Sequence, residues 1–119
     1  MVKTAAEHIH QMQESMKGGN GTVEIIRTMQ PGEYDSKIKL LGRLIIRPGC
    51  SLGYHTHEGE EEIVHILSGD ALYNDDGAET VLHAGDSCVC RTGHGHSIAC
   101  PENAAQPLEV YAVIAEVSE

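Results

Sequence analysis

The sequence predicts an all-β fold, an antiparallel sandwich or barrel preceded by a short N-terminal helix. Three observations predict it. From Thr22 onward, short runs rich in Val and Ile alternate with turn residues, and no run has helical period. Turn signals recur at close intervals: Gln30-Pro31-Gly32, Pro48-Gly49 and Asn74-Asp75-Asp76-Gly77. At 119 residues and 40% hydrophobic content the chain makes one domain with one core, burying roughly 65% of its unfolded surface.

The first element is read as a helix. Thr4-Ala5-Ala6-Glu7 fits a capping box, in which hydroxyl and carboxylate satisfy free backbone donors. Ala5, Ile9, Met12 and Met16 then recur at helical spacing, and Gly18-Gly19-Asn20-Gly21 ends the pattern. The apolar stripe needs a surface to cover, either the rest of the domain or a second subunit. Residues 1–21 are therefore read as a helix and Gly-rich linker, and 22–119 as the barrel. Strands are expected over Thr22–Met29, Ile38–Arg47, Leu52–His57, Glu61–Leu67, Ala71–Tyr73, Glu79–His83, Ser87–Cys90, Ser97–Ala99 and Leu108–Glu116. Asn74-Asp75-Asp76-Gly77 joins Ala71–Tyr73 to Glu79–His83 as a hairpin, because Gly supplies the positive φ such a turn needs.

Composition narrows the functional classes. The aromatic residues are four Tyr, with no Phe or Trp, so an aromatic-stacking platform for single-stranded nucleic acid is excluded. Eight Lys and Arg against eighteen Asp and Glu give a net charge of −10, which repels phosphate backbones and anionic lipid. The apolar runs are far too short to span a membrane, and the N-terminus has no basic-then-apolar signal pattern. The expectation is a cytoplasmic protein with no nucleic-acid or membrane partner. Cys50, Cys88, Cys90 and Cys100 are expected as reduced thiols in that compartment. They are read as buried small hydrophobes, with a second soft-metal site as the alternative.

The histidines carry the chemistry. His55-Thr56-His57 places two imidazoles on one strand face, because residues two apart point the same way. Glu62 opens the next strand, where a tight turn folds it back toward them. His96, in His94-Gly95-His96, is distant in sequence, but a closed barrel can bring it to the same point. Three imidazoles and one carboxylate make a mixed nitrogen and oxygen shell. Such a shell suits Mn, Fe, Co, Ni, Cu or Zn rather than Mg or Ca.

The spacings resemble a known family. Gly49-(x5)-His55-x-His57-(x4)-Glu62-(x6)-Gly69 matches the first signature of the cupin superfamily, G(x)5HxH(x)3,4E(x)6G, at every fixed position. Further on, Gly85-(x5)-Arg91-x-Gly93-(x2)-His96-(x3)-Cys100 matches the second, G(x)5PxG(x)2H(x)3N, at three of five fixed positions. Arg91 stands for the Pro and Cys100 for the Asn. The resemblance implies a jelly-roll-like double-stranded β-helix, the cupin barrel. It also implies one divalent transition metal (Mn, Fe, Ni or Zn) held by His55, His57, Glu62 and His96, with open coordination positions beside them. The Arg91 replacement places a cation near the motif turn. The Cys100 replacement removes a structural amide, not a ligand. In Glu58-Gly59-Glu60-Glu61-Glu62 only Glu62 has the matching spacing, although Glu61 falls within the tolerated range; the rest is read as a solvated turn. His65 has the opposite strand parity and points away, and His8, His10 and His83 are read as surface residues.

Three functions compete. The first is a metal-dependent enzyme acting on a small chelating carboxylate, keto or sugar-like substrate, as a decarboxylase, dioxygenase, isomerase or lyase. Arg91 would hold an anionic substrate through a bidentate pair, and Tyr73 would line the pocket as a hydrogen-bond donor. Tyr54, His94 and Glu61 are the candidates for general acid or base. The second is a non-catalytic small-molecule-binding or sensing cupin acting through a protein partner. The third is a metal-stabilised structural protein, against which open coordination positions argue. They rank in that order. A homodimer is expected from the resemblance and from the N-terminal apolar stripe.

Overall fold

The computed structural model of the chain describes residues 1–118. Among them ten strands run in order: β1 (Ile9–Glu14), β2 (Thr22–Met29), β3 (Ile38–Ile46), β4 (Ser51–Thr56), β5 (Glu60–Ser68), β6 (Asp70–Asp75), β7 (Ala78–His83), β8 (Ser87–Cys90), β9 (Gly95–Ala99) and β10 (Leu108–Glu116). A larger sheet has the order β1-β2-β3-β10-β5-β8 and a smaller one β4-β9-β6-β7, with every pairing antiparallel. The bounds of β2, β8 and β10 are those the sequence predicts.

Alternation builds the core. Leu40, Leu44 and Ile46 on β3, Val64 and Ile66 on β5, and Leu108, Val110 and Ala112 on β10 are buried. They pack against Leu52, Ala71, Tyr73 and Ile98 of the smaller sheet. Each fully buried Val, Leu or Ile contributes about 1.5–3 kcal/mol. The β6–β7 hairpin turns as predicted: Asp76 and Gly77 have φ of 53° and 101°, and the Gly77 N–H donates to Asn74 Oδ1 at 2.7 Å.

The N-terminal helix is not there. A single 3-10 turn spans Ala5–Glu7, and the chain then extends as β1 along the free edge of β2. The Glu7 carboxylate does accept from the Thr4 N–H at 3.1 Å, so the capping signal acts, but only over one turn. A helix of about twelve residues is marginal in water. The open edge of β2 offers backbone partners to all of β1 instead, and it does so with Ile9 and Met12 left 44% and 57% exposed.

Between β1 and β2 the chain makes a tight turn at Met16–Gly18 and lies against β4. The Ser51 N–H donates to Asn20 O, and the Asn20 N–H donates to Ser51 Oγ, both at 2.9 Å. A Cβ on Gly53 would stand 2.1 Å from Lys17 O, and one on Gly19 2.1 Å from Ser51 O. Only glycine fits on either side of this contact.

Candidate metal centre

Two sheets supply the site. His55 and His57 come from β4 and its end, His96 from β9 beside it, and Glu62 from β5 in the opposite sheet. On β9, His96 and the core residue Ile98 are two apart and share the inward face. On β4, Leu52 and His55 are three apart, yet both face inward. The register explains it: Leu52 pairs with Ile98 and His55 with His96, so β4 carries one extra residue. This bulge shifts the parity of the strand and turns His55 and His57 inward. On β5, Glu62 needs no such device, since it continues the inward row of Val64 and Ile66.

Four donor atoms converge. His57 Nε2 lies 3.1 Å from His96 Nε2, and His96 Nε2 lies 3.1 Å from His55 Nε2. Glu62 Oε1 stands 2.9 Å from His96, 3.1 Å from His57 and 3.9 Å from His55, measured to each Nε2. His57, Glu62 and His96 are buried, at 3–4% exposure.

The other ring nitrogens are held from behind. His55 Nδ1 donates to the Gly53 carbonyl at 2.8 Å, and His57 Nδ1 donates to Glu60 Oε2 at 2.6 Å. His96 Nδ1 lies 2.8 Å from the Tyr73 hydroxyl. A carbonyl and a carboxylate can only accept, so they place the protons of His55 and His57 on Nδ1 and leave Nε2 a bare lone pair. Converging lone pairs and a carboxylate repel one another unless a cation or protons stand between them. The donor set therefore fits a divalent transition metal, and partners of this kind orient imidazole ligands in metal sites. Burial works against the Glu62 charge, but where an imidazole carries a second proton, on Nε2, hydrogen bonds from His55, His57 and His96 outweigh it and hold the carboxyl below the ordinary range. The bond to Glu62 raises His57; burial opposes this and Glu60 adds to it.

A cavity of about 80 Å³ lies against His55, His57 and Glu62. Leu40, Leu44, Leu52 and Ile114 form an apolar wall, Glu60 and Thr56 add polar groups, and Met16 and Lys17 face it from the tight turn.

The other sequence candidates lie elsewhere. Tyr54 is half-exposed on the opposite side of β4 from His55, its ring against Gly95. His94 is exposed and pairs with Asp76 at 2.8 Å. Glu61 has the opposite parity to Glu62 and is absent from the cavity lining. Arg91 borders a surface depression with Asp75, Asp76, Val89 and His94, away from the cavity. Tyr73 is buried behind His96 rather than lining the cavity, because its β6 position faces the core. Burial raises its phenol well above the ordinary range. The residue missed by sequence reasoning is Glu60, which accepts a hydrogen bond from His57 Nδ1 and forms an ion pair with Lys39 at 2.8 Å. Its signal was its parity with Glu62, two residues along the same strand.

Comparison with known proteins agrees with this geometry. A family model described as the cupin domain matches residues 42–114. An oxalate-binding protein of Thermotoga maritima is 37% identical over 114 residues, covering 96% of this chain and 93% of that protein. A crystal structure from the same organism, described as a predicted oxalate decarboxylase, superposes with a TM-score of 0.90 at 35% identity over 98% of this chain and 100% of the other. A Cupin 2 conserved barrel domain protein from Salinispora arenicola gives 0.67 at 27% identity, over 80% of this chain and 76% of that one. With the family match spanning most of the barrel and a relative similar from end to end, this chain belongs to the cupin family.

Proposed function

We propose that this cupin holds one divalent transition metal through His55, His57, Glu62 and His96 and takes as its ligand a small chelating carboxylate of the oxalate class. The observation that carries the reading is the size of the cavity at the donors. At about 80 Å³ it is far below the ~300 Å³ at which sites for larger ligands begin. A sugar-like ligand does not fit such a space; a two-carbon diacid does. The relative named an oxalate-binding protein supports the same class.

A bound divalent ion would supply Lewis acidity toward a ligand oxygen. The chain's own residues do the rest. Glu60, Tyr73 and the Gly53 carbonyl fix the imidazole orientations. The Leu and Ile wall excludes water and lowers the local dielectric, which strengthens attraction for an anion. The redox-neutral reaction that suits this site is decarboxylation, in which oxalate and one proton give carbon dioxide and formate. The alternative is binding without turnover, and one observation favours it: Glu60, the one carboxylate among the described residues lining the cavity apart from Glu62, already accepts from His57 and Lys39.

One experiment separates the outcomes. Oxalate is titrated calorimetrically into manganese-loaded protein while formate is assayed. Heat with formate supports a decarboxylase; heat without formate supports a binding protein. No heat removes the carboxylate reading altogether.

We also propose a cytoplasmic homodimer. Exposed Leu72, Val81, Ile63 and Val89 and the open outer edge of β1 support pairing with a second copy. Four free cysteines fit a reducing compartment. Light scattering at the monomer mass would overturn the dimer.

A further inference from the structure

We infer that Lys17 is the anion anchor of the cavity: it binds the carboxylate of the ligand that the metal does not neutralise, and the turn carrying it is built to hold it there. The inference rests on the carboxylate reading above and assigns the residue that gives it charge specificity.

Three observations carry it. First, Lys17 is the one Lys or Arg among the described residues lining the cavity, where Glu60 and Glu62 are the acidic ones. The other lysine near the rim, Lys39, is engaged by Glu60. The described salt bridges of Lys and Arg belong to Lys3, Lys39, Arg43 and Arg47, so Lys17 has no acidic partner among the described residues. Second, its backbone is in the left-handed region, at φ 54° and ψ 30°, as is that of Ser15 at φ 48°. Non-glycine residues seldom adopt that region unless their surroundings enforce it, and such positions gather at ligand sites. Third, neighbouring contacts enforce that backbone. Gly53 gives Lys17 O room that a side chain would fill, and the Ser51–Asn20 exchange fixes the other side of the turn. The same Gly53 carbonyl orients His55, so the turn and the first ligand share one anchor.

Electrostatics require such a group. With a net charge of −10 the molecule as a whole repels a dianion, so attraction has to be local. Three neutral imidazoles, one carboxylate and a divalent ion sum to one positive charge, one short of a dicarboxylate. A lysine ammonium on a flexible four-carbon stem supplies the second.

The test uses Lys17→Asn, which removes the charge while tolerating a left-handed backbone, and Lys17→Arg, which keeps the charge. Each full-length chain is loaded with manganese and titrated calorimetrically with oxalate and, separately, with formate. The expected result for Lys17→Asn is a loss of about tenfold or more in oxalate affinity. Formate binding, manganese affinity and melting temperature should stay within twofold or a degree or two of wild type, and Lys17→Arg should retain most oxalate affinity. Equal oxalate affinity in wild type and Lys17→Asn overturns the anchor while leaving the carboxylate reading intact. Wild type that binds manganese but not oxalate overturns both. A Lys17→Asn variant that loses manganese as well as oxalate overturns the anchor too, by making the residue structural.

Discussion

The interior of this sandwich is of two kinds. In its middle, Leu44, Ile66, Leu108 and Val110 are buried among apolar neighbours. At one end His57, Glu62 and His96 are buried almost as deeply, and what they face is each other. Strand alternation produced both, since Glu62, Val64 and Ile66 are one inward row on β5. The apolar part gains free energy from leaving water. The polar end loses hydration and sets converging lone pairs together, which is costly without a compensating charge. Position in the fold thus decides what is buried, and residue type decides whether burial serves stability or chemistry.

Breaking each region separately should give different signatures. The largest effect is expected in the apolar middle. Ile66→Ala should cost about 2–5 kcal/mol in denaturant unfolding, equally with and without metal, because it removes packing that does not depend on the ion. The polar end should behave the other way. His57→Ala should remove the thermal stabilisation that metal confers, which is about 2.7 kcal/mol when the ion is at a hundred times its Kd. In the metal-free state at alkaline pH, where His57 has lost its second proton, the same variant should match or exceed wild type, because it relieves repulsion among the donors; differential scanning fluorimetry with and without chelator reads both. If metal-free His57→Ala falls as far as Ile66→Ala, the contrast between the regions is wrong.

Smaller changes sharpen the comparison. Tyr73→Phe and Glu60→Gln remove the groups behind His96 and His57 without touching the donor atoms. Each should weaken metal binding about 10–100-fold in a competition titration while leaving the stoichiometry at one per chain. The last comparison is the pH dependence of the metal-free protein. Without metal, the lowered Glu62 carboxyl contributes stability above its ordinary value of 4.5, which is lost as acid protonates it. The raised His57 contributes below its ordinary 6.5 and loses that contribution as pH rises through and beyond it. The metal-free protein should therefore melt highest between these two values. Metal should add most on the alkaline side, where the ligands are already deprotonated. Melting curves that rise steadily to alkaline pH without metal would contradict the His57 environment.

Much of this was legible in the residues. The four candidate ligands followed from HxH spacing for His55 and His57 and from the match to the two cupin signatures for Glu62 and His96, and the nine strands from Thr22 onward followed from alternation and turns. Three features were not legible. The capping box and apolar stripe of residues 4–16 were local signals, and the free edge of β2, a tertiary partner, overrode them. The bulge between Leu52 and His55 was not legible, although Gly53 within the strand was its one local mark; the close approach of Lys17 O to Gly53 comes from a turn distant in sequence. Arg91, Tyr54, His94 and Glu61 were chosen for proximity in sequence to the motifs. Adjacent residues on a strand face opposite ways, so nearness along the chain counted against Tyr54 and Glu61 rather than for them. Glu60 and Tyr73 show the converse: both act through a ring nitrogen, which needs the three-dimensional neighbour to be seen.

The most direct test is elemental analysis of wild type and His57→Ala, each purified without chelator and without oxygen. The expected result is about one transition-metal equivalent per wild-type chain and almost none in a variant that still folds as the barrel. Wild type free of metal, or a variant holding as much as wild type, would contradict it.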